Sequence, residues 1–90
     1  MRLRNVTLHQ LRLFQSLGTH LSFTRVAEEL HLTQPAVSIQ IKRLEESVGL
    51  PLVEHMGKRL FLTDAGRELF EASRDVLERM RVLGEDMTGL

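Results

Sequence analysis

Cysteine is missing from this chain of 90 residues, and so are tryptophan and tyrosine. Without cysteine there is no disulfide framework, no thiolate zinc site and no cysteine nucleophile. Four phenylalanines make up the whole aromatic complement. That is too few for the stacking platforms on which single-stranded nucleic acids are held. The sequence also lacks a signal peptide and an 18-residue apolar run, so the expected compartment is the cytoplasm, or the nucleus if there is one. A net charge is lacking too, since 12 Lys and Arg balance 12 Asp and Glu. Taken alone, that balance speaks against a surface for phosphate.

The distribution of charge reverses that impression. Residues 1–63 carry eight Lys and Arg against five Glu, a net +3, while residues 64–90 carry four Arg against seven acids, a net −3. One end of the chain is therefore suited to meet phosphate and the other is not. At 42% hydrophobic the chain can build a core, but ninety residues make only a modest one, for which a second copy is plausible help.

The most informative stretch runs from Leu32 to Glu45 and reads as a helix with two unlike faces. Val37, Ile41, Leu44 and Val48 stack on one stripe and face a core. At about 100° per residue, Pro35, Ile39, Lys42 and Glu46 fall on the other side. Ile39 is thus an apolar side chain turned away from the core, flanked by Gln34, Ser38 and Arg43. One aliphatic contact among small, hydrogen-bonding and cationic groups suits the major groove of DNA. There Gln pairs with adenine, Ser with either base edge, and an aliphatic group with a thymine methyl. Thr33 is an N-cap and Pro35 fits a first helical turn, leaving an exposed, partly positive N-terminus for phosphate. The plainer alternative is an ordinary two-sided surface helix.

Around this helix the chain reads in order as follows. Residues 1–6 are short and basic and are expected to fray. Thr7 and Gln10 form a capping-box pattern opening a helix whose apolar face is Leu8, Leu11, Phe14 and Leu17, closed by Gly18. Thr19-His20-Leu21 is a connection, and Ser22 caps a second helix with Phe23, Val26, Ala27 and Leu30 buried. Its outer face carries Thr24, Arg25, Glu28 and Glu29. The three-residue turn His31-Leu32-Thr33 then makes a helix-turn-helix, with Ala27 at the close approach and Leu32 filling the angle. Gly49 and Pro51 end the third helix. Residues 52–55 and 59–62 read as a hairpin turning at Gly57, with Lys58 and Arg59 at its tip. The tip suits phosphate or minor-groove contact, or is simply solvated. Such a hairpin must pack on the helices to be stable.

Thr63 caps a long last helix reaching about Met87. Leu69, Ser73, Val76, Met80, Leu83 and Met87 follow at spacings of 4, 3, 4, 3 and 4, a heptad seam suited to a second copy of the same helix. Phe70 and Leu77 form a second strip that can pack on the chain's own core. The alternative is a helix folded back entirely onto its own domain.

Several linked motifs, in order, carry a resemblance. Leu11…Phe14, residues 22–30 (Ser-Phe-Thr-Arg-Val-Ala-Glu-Glu-Leu), residues 32–38 (Leu-Thr-Gln-Pro-Ala-Val-Ser), Leu44-Glu45, residues 49–54 (Gly-Leu-Pro-Leu-Val-Glu) and residues 62–66 (Leu-Thr-Asp-Ala-Gly) resemble the DNA-binding domain of LysR-type transcriptional regulators. The resemblance implies a mostly α fold: a winged helix-turn-helix over residues 1–62, then a linker and dimerisation helix over 63–90. It also implies a larger C-terminal effector-binding domain, which these residues do not include. Carried over by position, Gln34, Pro35, Ala36, Ser38 and Ile39 read bases. Thr24, Arg25, Thr33, Lys42, Arg43, Lys58 and Arg59 meet phosphates. The implied partners are double-stranded promoter DNA, with the wing at the minor groove, and a second copy through the linker helix. Full-length members of the family form tetramers and respond to a small metabolite. Residues 8–46 most resemble regulators of carbon-fixation (RuBisCO) operons. One departure matters: the wing usually reads Leu-Phe-Glu-Arg, and here Val53 and His55 stand in place of the Phe and the Arg. A cationic contact does not carry over to His55, since histidine is mostly uncharged at neutral pH.

Rival chemistries are poorly supported. His9, His20, His31 and His55 lie on or beside separate elements with no His-x-x-x-His pair, so no metal is expected. Glu28-Glu29 and Glu45-Glu46 read as solvated faces, with Arg25 to Glu29 as an i,i+4 pair, rather than as an acid–base couple. No phosphate loop or nucleophile elbow is present, and neither a catalytic residue nor a cofactor is expected. The serious rival is a small helical protein-interaction module that dimerises through its last helix and binds no DNA. It accounts for the zero net charge and the seam, but not for an outward Ile39 or the charge split.

Overall fold

The Thr7 side chain accepts the Gln10 backbone N–H at 3.0 Å, and the Thr7 N–H donates to Gln10 Oε1 at 3.1 Å. This reciprocal box starts helix α1 (Leu8–His20). The computed structural model describes residues 2–90. After α1 come α2 (Phe23–Leu30), α3 (Gln34–Val48), strands β1 (Val53–Met56) and β2 (Arg59–Leu62), and α4 (Asp64–Thr88). Each remaining helix begins on a hydroxyl cap. Ser22, Thr33 and Thr63 accept the N–H groups of Arg25, Ala36 and Gly66 respectively, at 3.2, 3.2 and 3.0 Å.

The core lies where α1, α2 and α3 cross, and the base of the hairpin closes it. Leu13, Phe14 and Leu17 come from α1, Val26 and Ala27 from α2, and Val37, Ile41 and Leu44 from α3, with Leu52 and Leu60 beneath. Leu13 is fully buried, although the spacing of 3 in α1 singled out only Leu8, Leu11, Phe14 and Leu17. A helix packed on two partners needs a stripe wider than one row. His31 ends α2 in the left-handed conformation at φ 56°, and Leu32 N–H returns to the Ala27 carbonyl at 2.9 Å. That 6→1 bond is a Schellman end, and it turns Leu32 back onto the core. The helix-turn-helix is thereby held at a fixed angle.

Three local expectations fail, each for a packing reason. Gly18 does not close α1, which runs on to His20 and ends at Leu21 (φ 51°). The glycine is instead a notch: a Cβ there would lie 2.3 Å from the Phe70 ring of α4. Residues 2–6 do not fray, because Arg2–Asn5 form a 3-10 turn packed against α3, while Met1 lies outside the described residues. Val6 behind it packs against the core. Glu29 pairs with His20 at the end of α1, not with Arg25 in its own helix.

The hairpin is antiparallel, with Val53 opposite Leu62 and Met56 opposite Arg59. Gly57 takes φ 65° as the first of two turn residues, a place that favours glycine. The helix α4 starts with Gly66 against the Leu52 backbone, then packs along α1 through Phe70, Ser73 and Leu77, and leaves the domain. From Glu78 onward every residue except Val82 is exposed. Twenty-five residues span roughly 37 Å, and the longest dimension of the molecule is 51 Å. Arg81 stiffens the outer half by bonding Glu78 at 2.8 Å and Glu85 at 2.9 Å. The hydrogen bond and charge of Arg81 hold the Glu78 carboxyl below the usual carboxylate range.

Candidate nucleic-acid interface

Four side chains of α3 stand out from the domain, Pro35 and Ile39 on the side opposite Val37, Ile41 and Leu44, and Gln34 and Ser38 on the flank. Gln34, Pro35, Ser38 and Ile39 are exposed, and Ile39 keeps 52% of its surface in water. Full burial of such a side chain is worth about 1.5–3 kcal/mol, so the fold itself gains little from it here. Lys42 and Arg43 continue the exposed strip. Among the described residues neither belongs to an ion pair. Ala36, whose backbone N–H donates to the Thr33 hydroxyl, is half-buried.

The hairpin and the start of α2 each border a cleft at the end of α1. His20 and Leu21 share a cleft with Lys58, Arg59, Leu60 and Phe61. The same His20 lines the neighbouring cleft with Arg25, Glu28 and Glu29. Arg25 and the pair Lys58 and Arg59, from two stretches of sequence, thus line clefts that share His20, and these three and Thr24 are exposed. The Arg59 guanidinium lies 5.7 Å from the centre of the Phe61 ring, which restrains its direction without neutralising it. His55 points from an exposed strand and approaches none of these groups in an ion pair.

Sequence reasoning missed the tie that holds this arrangement. Glu45 is half-buried, not solvated. Its Oε2 accepts the Leu52 N–H at 2.7 Å and the Val53 N–H at 3.4 Å. The only signal in the sequence is an acidic residue one turn before a helix-ending glycine, next to an otherwise apolar return.

The seam of α4 divides. Val76, Met80, Leu83 and Met87 are exposed apolar residues, and Leu69 is half-buried against the chain's own core. Ser73 is fully covered, its hydroxyl donating to the Phe70 carbonyl at 2.8 Å. At 100° per residue it lies about 60° round from Val76, toward Phe70 and Leu77. It therefore belongs to the contact with α1 and is unavailable to a partner. Above the seam, Leu3, Val6, Leu11, Leu69 and Ala72 line an apolar groove that is continuous with Val76.

The profile of a family described as "Bacterial regulatory helix-turn-helix protein, lysR family" matches residues 8–67. The chain belongs to the LysR family. Over all 90 residues it is 47% identical to a RuBisCO operon transcriptional regulator of Acidithiobacillus ferrooxidans, and covers 29% of that protein. It is 49% identical, over 96% of its length, to a RuBisCO operon transcriptional regulator of Allochromatium vinosum, covering 28% of it. The chain thus spans less than a third of the length of these LysR-family relatives. Among solved structures it matches BenM_DBD in complex with catB site 1 DNA, at a TM-score of 0.88 and 28% identity, over 92% of this chain and 93% of that one. A CbnR_DBD–DNA complex matches at 0.87 and 27% identity, over 93% and 97%. The fold is the winged helix-turn-helix of LysR DNA-binding domains. Among the described residues no three His, Asp or Glu side chains come together as a metal-binding group. No helix of the structure is long and apolar enough to cross a membrane.

Proposed function

We propose that this chain is the DNA-reading part of a transcriptional regulator and binds double-stranded promoter DNA as a symmetric dimer on an inverted repeat. The observation that carries the reading is the exposed strip of α3, where Ile39 stands among Gln34, Ser38, Lys42 and Arg43 with no partner inside the fold. In this reading α3 enters the major groove, with Gln34, Pro35, Ser38 and Ile39 at base edges and Ala36 at the margin. Thr33, Lys42 and Arg43 meet phosphate from α3, Thr24 and Arg25 from α2. Lys58 and Arg59 meet it from the wing, beside the minor groove. Residues 1–62 are the reading unit and residues 63–90 the linker.

Dimerisation rests on the apolar row Val76, Met80, Leu83 and Met87, which one chain leaves in water, with Leu69 at its inner end. The two RuBisCO-operon relatives favour a carbon-fixation promoter as the target and the cytoplasm as the place of action. A tetramer and a response to a metabolite belong to the longer protein that such relatives represent.

Selection from a pool of random duplexes at two salt concentrations tests the reading. Enrichment of an inverted repeat with half-sites about one helical turn apart is expected. Binding without enrichment would leave only a basic surface, and no binding at low salt would favour a protein-interaction module. On the selected site, Gln34→Ala should cost roughly 1–3 kcal/mol at one base position and relax specificity there. Arg43→Ala should instead weaken every sequence alike and lower the salt slope by about one. Uniform loss in both variants would refute the division into base readers and phosphate contacts.

A further inference from the structure

A two-stranded hairpin is marginal by itself, and this one is held at its root from two sides. From the α4 side, the Leu52 carbonyl accepts the Thr63 N–H at 3.0 Å, and the Thr63 hydroxyl donates to the Pro51 carbonyl at 2.7 Å. From the α3 side there is one side chain. The Glu45 carboxylate takes both N–H groups at the start of the wing, Leu52 and Val53. Leu52 is fully buried, so water is a poor substitute for that acceptor, and a bond to a charged oxygen is stronger than one to a neutral group. Glu45 lies two residues past Arg43 on the same helix that presents Gln34 and Ser38. No other side-chain hydrogen bond among the described residues joins α3 to the wing.

We propose that Glu45 is a positioning residue for DNA contact: it fixes the wing, and with it Lys58 and Arg59, in register with the reading face of α3. Without it the hairpin keeps its ties to α4 but loses the side-chain tie that sets its angle to α3, while α3 keeps its place in the core. Glu45 itself touches no DNA. The inference rests on the DNA-binding reading above.

A mutant cycle on the selected duplex tests it. Glu45→Ala should reproduce the loss caused by the pair Lys58→Ala and Arg59→Ala, about tenfold in affinity, and lower the salt slope by about two. The triple variant should then bind no worse than the pair. Glu45→Gln, which keeps an acceptor oxygen at the same reach, should return affinity to within about threefold of wild type. Base preference at the position read by Gln34 should not change in any of them. If the Glu45 loss multiplies with that of the wing pair, or if Glu45→Ala binds like wild type, the proposal is overturned. Where the alanine variant does not fold, Glu45→Asp serves instead. It keeps the charge but is one methylene short, so unchanged binding by Glu45→Asp would overturn the proposal equally. Failure of the wild-type protein to select any sequence would instead refute the DNA reading itself.

Discussion

In sedimentation, Val76→Glu is expected to turn a dimer into monomers, and its affinity for a paired site should fall by roughly 10²–10⁴-fold. The size follows from linkage. When two reading units are joined, the second binds as an intramolecular event, and that advantage vanishes once the units separate. Val76 is 42% exposed in the single chain, so a carboxylate there finds water and the monomer keeps its fold. Against a second helix the same carboxylate would be buried without a partner, at a cost of several kcal/mol. Binding to one isolated half-site should stay at the wild-type level. A dimer that survives the substitution would place the interface elsewhere, and equal losses on single and paired sites would mean that the reading unit itself was damaged.

Gly66→Ala should be the most damaging small substitution in the chain. An added Cβ would sit 2.0 Å from the Leu52 carbonyl oxygen and 3.0 Å from its carbon. Both are backbone atoms, and that carbonyl already accepts the Thr63 N–H. Relief requires the first turn of α4 to move, which also breaks the Thr63 cap. Overpacking and a lost cap together cost about 3 kcal/mol, or a fall of about 12–24 °C in Tm for a domain of this size. Gly84→Ala in the same helix is the control, because nothing lies within 4 Å of its added Cβ. It should gain up to about 1 kcal/mol from helix propensity. Thermal melts followed by circular dichroism separate the two, and similar midpoints would refute the close approach.

Where one residue decided a feature locally, the sequence was a sufficient guide. Thr7, Ser22, Thr33 and Thr63 each cap the helix expected of them, and Gly49 and Gly57 each take a positive φ. The two faces of α3 were equally plain, since Val37, Ile41 and Leu44 repeat at helical spacing and Ile39 breaks the pattern. What escaped were decisions made between distant segments. Gly18 looks like a stop, and only Phe70, fifty-two residues on, shows it to be a notch. Glu45 looks solvated until the chain returns at Leu52. Ser73 fits a heptad row, yet it lies on the half of α4 that packs on the domain and is fully covered, whereas Met80 one heptad on lies beyond it and is exposed. Spacing assigns a residue to a face. It does not say which neighbour will cover that face.

In the dimer proposed above, the Gly66 contact bears on the spacing of the half-sites. It clamps the start of α4 to the wing root, so α4 has no freedom to rotate about its own axis, and the row from Val76 to Met87 leaves the domain at one fixed azimuth. The helix is then a phase-keeping spacer. One residue inserted after Phe70 would swing the row through about 100° and uncouple it from the reading faces. Seven would bring it back nearly into phase and lengthen the spacer by about 10.5 Å, close to three base-pair steps at about 3.4 Å each. The distance between half-sites would thus be quantised in heptads of protein.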